Sequence, residues 1–191
     1  MWKDEVNRLG GMVPIGAPAF LPLTDAEIAD LEREVQGVLP QDYAEFARTY
    51  GCCAFARSVS YPFLERRSMY QHPPGVGLEN RLYAEGVHAH FYGSTRQPKP
   101  VHRLAWARAA YAPRMPAGLL PIADDGGGSL LCLGVAGDHA GQVYWWDHEN
   151  EWDEDDYQDD VGAPMPEAAK WQNVYLVARS FTDWLASMRA G

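Results

Sequence analysis

The stretch Leu119–Asp147 reads LLPIADDGGGSLLCLGVAGDHAGQVYWWD and contains two apolar runs, Leu130–Val135 and Val143–Trp146. Gly- and Asp-rich segments bound both runs, which is typical of consecutive antiparallel strands. In Val143–Trp146 neither of the two alternating sets of side chains is polar, so we expect both faces of this strand to be covered. The stretch therefore predicts the centre of a mostly antiparallel sheet.

The segment directly before the first of these two runs, Asp124–Ser129, predicts a turn. Glycine tolerates positive φ, and aspartate accepts hydrogen bonds from nearby backbone amides. Paired carboxylates such as Asp124 and Asp125 can also bind a hard cation, and a glycine-rich loop can cradle phosphate. The sequence lacks both the D-x-D-x-D-G order of an EF-hand and the G-K-[ST] ending of a P-loop. A turn is therefore favoured, with a partner-contacting edge as the alternative.

Helix signals flank the predicted sheet on both sides. The helix boundaries they indicate are Trp2 to Leu9, Thr24 to Gly37, Pro40 to Gly51, Val101 to Tyr111, and a closing helix that begins at Ser180. The second and the last begin with a capping box, because an acid follows the capping residue after three positions. Helices followed by a sheet and a closing helix predict an α+β fold in one domain, residues 1–191, with two N-terminal helices and the C-terminal helix packed on the sheet.

The region between Phe55 and Pro100 has weaker patterns. Phe63–Tyr70 fits a helix or an edge strand, Gln71–Gly75 a turn, and Val87–Tyr92 an alternating strand. Such a strand would point His88 and His90 the same way, and two imidazoles can bind zinc. Because no further Cys or His stands at metal-ligand spacing, structural or surface histidines are favoured. Catalysis by Cys52 is disfavoured, since it directly follows a helix-ending glycine.

Composition limits the classes of function. The 191 residues are 47% hydrophobic, which supports a core, and carry a formal net charge of −10. A negative surface repels nucleic acid and anionic membranes and attracts basic partners. The three cysteines suggest reduced thiols in a cytoplasmic protein, and no apolar run approaches the roughly 20 residues of a membrane span. The start of the chain also lacks a signal-peptide pattern.

The chain becomes strongly acidic directly after the second strand, with nine carboxylates between residues 147 and 160. In an extended segment, Asp147, Glu149 and Glu151 would share one face and repel each other. Asp153–Met165 has little apolar content and is predicted to be a loop. The acids are either a solvated loop or a surface that a basic partner neutralises, and an exposed tryptophan among them would suit an interface.

Three blocks of sequence also occur in order along the chain. Ala29–Gly51 fits xxLExxxxxxLPxDYxxFxxxYG; Leu119–Gly128, Leu131–Leu133 and Gly141–Glu149 form the second block; Val177–Leu185 forms the third. Together they resemble the SUKH superfamily, the Smi/Knr-type domain of fungal cell-wall-synthesis regulators and of many bacterial toxin-immunity proteins. The resemblance implies a binding protein that blocks a toxin domain by direct contact.

We therefore expect a cytoplasmic immunity protein without catalytic activity, cofactor or metal, whose partner is a cognate toxin with a basic surface. The predicted partner-binding residues are Asp124, Asp125, Trp146, Asp147, Glu149, Glu151, Trp152, Asp153, Glu154, Asp155 and Asp156. Two alternatives stay open. One is a small metal-dependent hydrolase, which requires Asp124, Asp125, Asp147 and His148 to converge on one ion. The other is a regulatory scaffold.

Overall fold

The computed structural model describes residues 1–71 and 81–191, and these form the predicted α+β fold. The helices are α1 (Trp2–Arg8), α2 (Asp25–Val35), α3 (Gln41–Ala47), α4 (Leu104–Tyr111), α5 (Glu154–Val161) and α6 (Phe181–Ser187). The strands are β1 (Met12–Pro14), β2 (Cys53–Phe55), β3 (Val59–Pro62), β4 (Glu85–His88), β5 (His90–Phe91), β6 (Leu119–Asp124), β7 (Leu130–Gly134), β8 (Val143–Trp146), β9 (Val174–Ala178) and β10 (Arg189–Ala190).

The main sheet has seven antiparallel strands in the order β1-β2-β5-β6-β7-β8-β9. The two predicted strands correspond to β7 and β8. These strands pair directly with each other, and Leu131 lies opposite Trp145. All four residues of β8 are buried, so the expectation that both of its faces are covered is confirmed. The second sheet has three strands in the order β10-β3-β4. Helix α6 packs against α1, α3, β3 and β9, while α4 packs against β6.

The predicted helix starts are confirmed where a capping box marked them. Thr24 Oγ1 accepts from the Glu27 N–H at 3.2 Å, and the Ser180 hydroxyl accepts from the Asp183 N–H at 3.0 Å. Helix α2 ends at Val35, before the predicted boundary at Gly37, and Gln36 closes it in the left-handed conformation with φ of 52°. Gly37 instead allows its backbone to lie close to that of Val135, since a Cβ at Gly37 would lie 2.1 Å from the Val135 carbonyl oxygen.

The single strand predicted over Val87–Tyr92 is wrong. The chain passes from β4 in the small sheet to β5 in the main sheet at Ala89, whose N–H donates to the Asp124 carbonyl at 2.9 Å. His88 therefore faces the core, whereas the half-buried His90 contacts the Asp124 carboxylate. Phe63–Tyr70 does not form a helix; it runs along the edge of β9, where Ser68 forms an isolated antiparallel bridge with Tyr175, which is closer to the edge-strand alternative. The turn expected at residues 71–75 falls almost entirely outside the described residues.

The loop predicted over Asp153–Met165 is also wrong in its first half, which is α5. Asp153 caps this helix by accepting from the Asp156 N–H at 2.8 Å, and Gly162 ends it with φ of 75°. Acids in the first turn stabilise the partial positive charge of a helix N-terminus. Tyr157 supplies the buried contact of the helix. Composition alone suggested a loop, but capping and a single anchor are sufficient for a two-turn helix.

Candidate partner-binding surface

Asp124 and Asp125 organise the turn after β6. Asp124 accepts from the Gly126 N–H at 2.9 Å, and Asp125 Oδ1 accepts from the N–H groups of Gly127 and Ser129 at 2.8 and 3.1 Å. These contacts confirm the predicted turn. Asp125 also accepts from the Trp145 indole N–H at 3.3 Å. The two side chains are half-buried and bound to their own backbone, so most of their hydrogen-bonding capacity is used within the protein.

Asp124 also contacts a histidine on the neighbouring strand β5. Its Oδ2 lies 3.3 Å from His90 Nδ1. Burial alone would raise the pKa of Asp124, but the hydrogen bond from His90, the charge of that imidazole and the Gly126 N–H outweigh burial and lower the pKa below its ordinary value. Asp124 therefore keeps its charge, which His90 and the backbone of the turn stabilise from within the protein.

Asp147 was predicted to lie on the surface, but the structure places it in the interior with 1% of its area exposed. Its carboxylate accepts from the Tyr83 hydroxyl at 2.8 Å, from the Glu149 N–H at 3.1 Å and from the Asn150 amide. Its backbone carbonyl accepts from the Asn173 amide at 2.8 Å. Buried carboxylates need such partners, since an unpaired one is strongly unfavourable. Asp147 is therefore a structural residue that anchors the chain after β8.

The expectation that Asp147, Glu149 and Glu151 share one face of an extended segment is wrong as well. Residues His148–Asn150 form a 3-10 turn, which Asp147 caps. The turn separates the three carboxylates: Asp147 is buried, Glu149 is exposed, and Glu151 is paired with an arginine.

Trp146 cannot contact a partner in this structure, because none of its area is exposed. The Arg114 guanidinium lies 5.2 Å from its ring centre and 5.5 Å from that of Tyr111. Arg114 Nε also donates to Glu151 Oε1 at 2.7 Å, and a second nitrogen pairs with the same carboxylate. The negative charge of Glu151 is therefore neutralised by Arg114 of the same chain. Sequence reasoning missed Arg114, since no local pattern links it to a carboxylate 37 positions away.

The remaining predicted acids are exposed, and further exposed acids accompany them on α5. We call this set the acidic surface; its members are Glu149, Asp153, Glu154, Asp155, Asp156, Asp159 and Asp160. Trp152 is half-buried beside it and meets the Tyr157 ring edge-on at 4.9 Å. A groove of about 190 Å³ adjoins the surface and is lined by Arg114, Glu151, Trp152, Asp153, Glu154, Met165, Lys170 and Pro113.

The hydrolase alternative required Asp124, Asp125, Asp147 and His148 to converge. Asp124, Asp125 and His148 instead bond to the backbone of the turn between β6 and β7, with His148 Nε2 2.9 Å from the Gly127 carbonyl oxygen, whereas Asp147 bonds to Tyr83 and Asn150. Within residues 1–71 and 81–191, no group of three or more His, Cys, Asp or Glu side chains is arranged to hold a metal ion. The geometry therefore gives the hydrolase alternative no support.

The candidate metal ligand His88 and the candidate nucleophile Cys52 are both buried in the core of the protein. His88 is packed among Phe55, Phe91 and Trp184, and burial together with the nearby charge of His90 lowers the pKa of His88 to about 3. It is a neutral core residue near physiological pH. Cys52 is buried, and that burial raises the pKa of its thiol to about 12, which is unfavourable for a nucleophile.

The comparisons with known proteins agree with the three sequence blocks. In the parts of the chain that the structure covers, no helix has the length and apolarity needed to cross a bilayer. The SPbeta prophage-derived uncharacterized protein YokK of Bacillus subtilis (strain 168) is 24% identical over 169 residues, which are 86% of this chain and 74% of that protein. The model of the SMI1 / KNR4 family (SUKH-1) matches residues 22–187, from the segment before α2 to the end of α6. The chain therefore belongs to the SMI1 / KNR4 family (SUKH-1).

Proposed function

We propose that this protein is a cytoplasmic immunity protein that binds the active-site region of a cognate toxin and catalyses no reaction itself. Membership of the SUKH-1 family supports a toxin-binding role. The observation that carries the proposal is the acidic surface, whose seven carboxylates are exposed within residues 149–160. The proposed partner is a toxin domain with a basic surface.

Some carboxylates of the acidic surface repel each other in the isolated protein. Asp155 and Asp159 stand four residues apart on α5, as do Asp156 and Asp160. Like charges at this spacing each destabilise a helix by about 0.2–0.5 kcal/mol. Among the described residues, the two cations that line the adjoining groove are already paired, Arg114 with Glu151 and Lys170 with Glu167. A basic partner would neutralise the exposed carboxylates and remove the repulsion.

Occlusion is the mechanism that this charge supports. Toxins that act on nucleic acid carry a basic groove for phosphates, and a row of carboxylates can occupy such a groove in their place. A stable complex of this kind buries about 1,200–2,000 Å² in total. Long-range attraction would speed association, because complementary charge raises encounter rates by orders of magnitude.

The test uses the product of the gene directly upstream, which the proposal predicts to be the toxin. We expect it to co-purify with this protein and to lose its toxicity when the two are co-expressed. The double variant Asp159→Lys/Asp160→Lys should fold, since lysines suit the C-terminal turn of a helix. Its association rate should fall about tenfold or more, with a smaller change in dissociation rate.

The control variant Glu65→Lys/Asp138→Lys changes the net charge equally but lies outside α5. It should reduce association less than the α5 variant. Wild-type association should also slow between about 50 and 300 mM salt, because screening weakens exposed charges. Equal effects of the two variants, or association that is insensitive to salt, would contradict a role for the acidic surface. Failure to form a complex would contradict the proposed function.

A further inference from the structure

The two sheets have four outer edges, and the edge of β9 is already occupied. The segment after β3 runs along it and donates from the Leu64 N–H to the Val177 carbonyl at 3.1 Å and from the Met69 N–H to the Val174 carbonyl at 2.8 Å. These bonds use the backbone groups that another strand would need. Covering an edge in this way is a common protection against unwanted strand pairing.

The edges of β1 and β10 offer little to another strand. The Ile15 N–H donates to the Cys52 carbonyl, and pairing alternates along an antiparallel ladder. Met12 and Pro14 therefore point their backbone groups away from β2, but Pro14 has no N–H to donate. Strand β10 is two residues long, and by the same alternation only Ala190 directs its backbone N–H and C=O groups away from β3.

The outer edge of β4 is different. The Phe63 N–H donates to the Ala84 carbonyl at 2.9 Å, which fixes the alternation of the β3–β4 ladder. Gly86 lies two residues farther along and bonds to β3, whereas Glu85 and Val87 turn their N–H and C=O groups away from β3. In the described part of the chain no strand pairs with this edge. It presents two donors and two acceptors in the spacing of a β-ladder.

The side chains on this edge indicate which strand would fit. Glu85 and Val87 project from the same face of β4, and Val87 has 55% of its area exposed. A second copy of this chain is disfavoured as occupant, because each copy carries a net charge of −10. The Glu85 carboxylate lies 3.9 Å from Arg189 of β10 but keeps 62% of its side chain exposed, so a basic residue of an added strand can still pair with it. An apolar residue beside Val87 would complement the edge in hydrophobicity.

We propose that β4 is a docking edge at which an extended, basic and apolar segment of the toxin adds as a fourth strand to the small sheet. The inference rests on the proposed function and specifies how the partner is held. Main-chain hydrogen bonds would supply affinity, and the side chains beside Glu85 and Val87 would supply selectivity.

The decisive substitution is Val87→Pro. It removes an N–H that points away from β3, so the β3–β4 hydrogen bonds remain. Loss of this donor and the bulk of the ring should raise the dissociation constant for the toxin domain at least about tenfold. The matched variant Val87→Thr keeps the N–H and the branched shape, and should bind within about threefold of the wild type.

Hydrogen exchange provides a readout that does not depend on any variant. The amides of Glu85 and Val87 should exchange rapidly in the free protein and at least about tenfold more slowly in the complex with the toxin domain. The docking edge is overturned if the complex forms without this protection. It is also overturned if a folded Val87→Pro variant binds the toxin domain as tightly as the wild type does. Either result leaves the proposed function intact. If Val87→Pro does not fold, amide exchange decides.

The other outcomes are also decisive. Failure of the toxin domain to bind the wild type at all overturns both proposals. Protection of the same amides in the free protein that grows with protein concentration would show pairing with a second copy, and would overturn a toxin strand as the occupant.

Discussion

Replacing Glu27 with Gln should weaken the attachment of α2 to the segment after β5. This carboxylate accepts five hydrogen bonds, from the backbone N–H and hydroxyl groups of Thr24 and Thr95 and from the hydroxyl of Ser94, at 2.6–3.1 Å. Glutamine has nearly the same shape but no charge, and one of its two acceptor atoms becomes a donor. The substitution therefore tests the charge without opening a cavity.

The size of the effect follows from the pKa of Glu27. Burial alone would raise this pKa, but the hydrogen bonds from Thr24, Thr95 and Ser94 outweigh burial and lower it from 4.5 to about 2. The full shift corresponds to about 3 kcal/mol, since one pKa unit is about 1.4 kcal/mol. Glu27 is only half-buried and water screens its charge, so we expect a loss of about 1–2 kcal/mol in the free energy of unfolding at pH 7.

The pH dependence gives the sharper test. A folded-state pKa below the unfolded value means that the stabilisation is complete above about pH 4.5 and is lost as the pH falls toward 2. Urea denaturation of the wild type and of Glu27→Gln, at pH 7 and at about pH 5, 4 and 3, should show a difference that shrinks below pH 4.5. The exposed control Glu65→Gln should change stability by less than about 0.5 kcal/mol throughout. A Glu27→Gln difference that is the same at every pH would refute the role given to its charge.

Two further substitutions test the packing and the polar interior. Gly37→Ala should cost roughly 1–3 kcal/mol in the free energy of unfolding, because its Cβ would lie 2.1 Å from the carbonyl oxygen opposite, and an unchanged urea midpoint would contradict that contact. Asp147→Ala should cost about 2–3 kcal/mol, because it removes the acceptor for the Tyr83 hydroxyl and the Asn150 amide, whereas Asp155→Ala on the exposed side of α5 should change stability by less than about 0.5 kcal/mol. Equal losses at the two aspartates would contradict their assignment as buried and exposed.

The parts of the fold that could be predicted from the sequence depend on local signals. Thr24 and Ser180 begin helices with hydrogen bonds that span three residues, and glycine and aspartate mark the turn between β6 and β7. The two-sided apolar pattern of Val143–Trp146 likewise predicted a buried strand. Each signal lies within a few residues of the element that it determines, so a single sequence is sufficient to find it.

The candidate site depended instead on contacts between distant residues. The sequence gives no indication that the Tyr83 hydroxyl reaches Asp147 across 64 positions, or that Arg114 reaches Glu151 across 37. These contacts remove Asp147 and Glu151 from the set of free surface carboxylates. The composition of the acidic segment predicted its charge correctly, but not the helix that displays the charge.

The two proposed surfaces would contribute differently to one complex. Exposed carboxylates such as Asp155 and Asp159 act at long range and are screened by salt, so they govern how fast a basic partner arrives. Backbone groups of Glu85 and Val87 act only at contact distance and carry no net charge, so they govern how long the partner stays. An immunity protein needs both properties, because a toxin must be captured before it reaches its target and must not be released afterwards. Salt should therefore slow association strongly while leaving the dissociation rate, and its increase in Val87→Pro, almost unchanged.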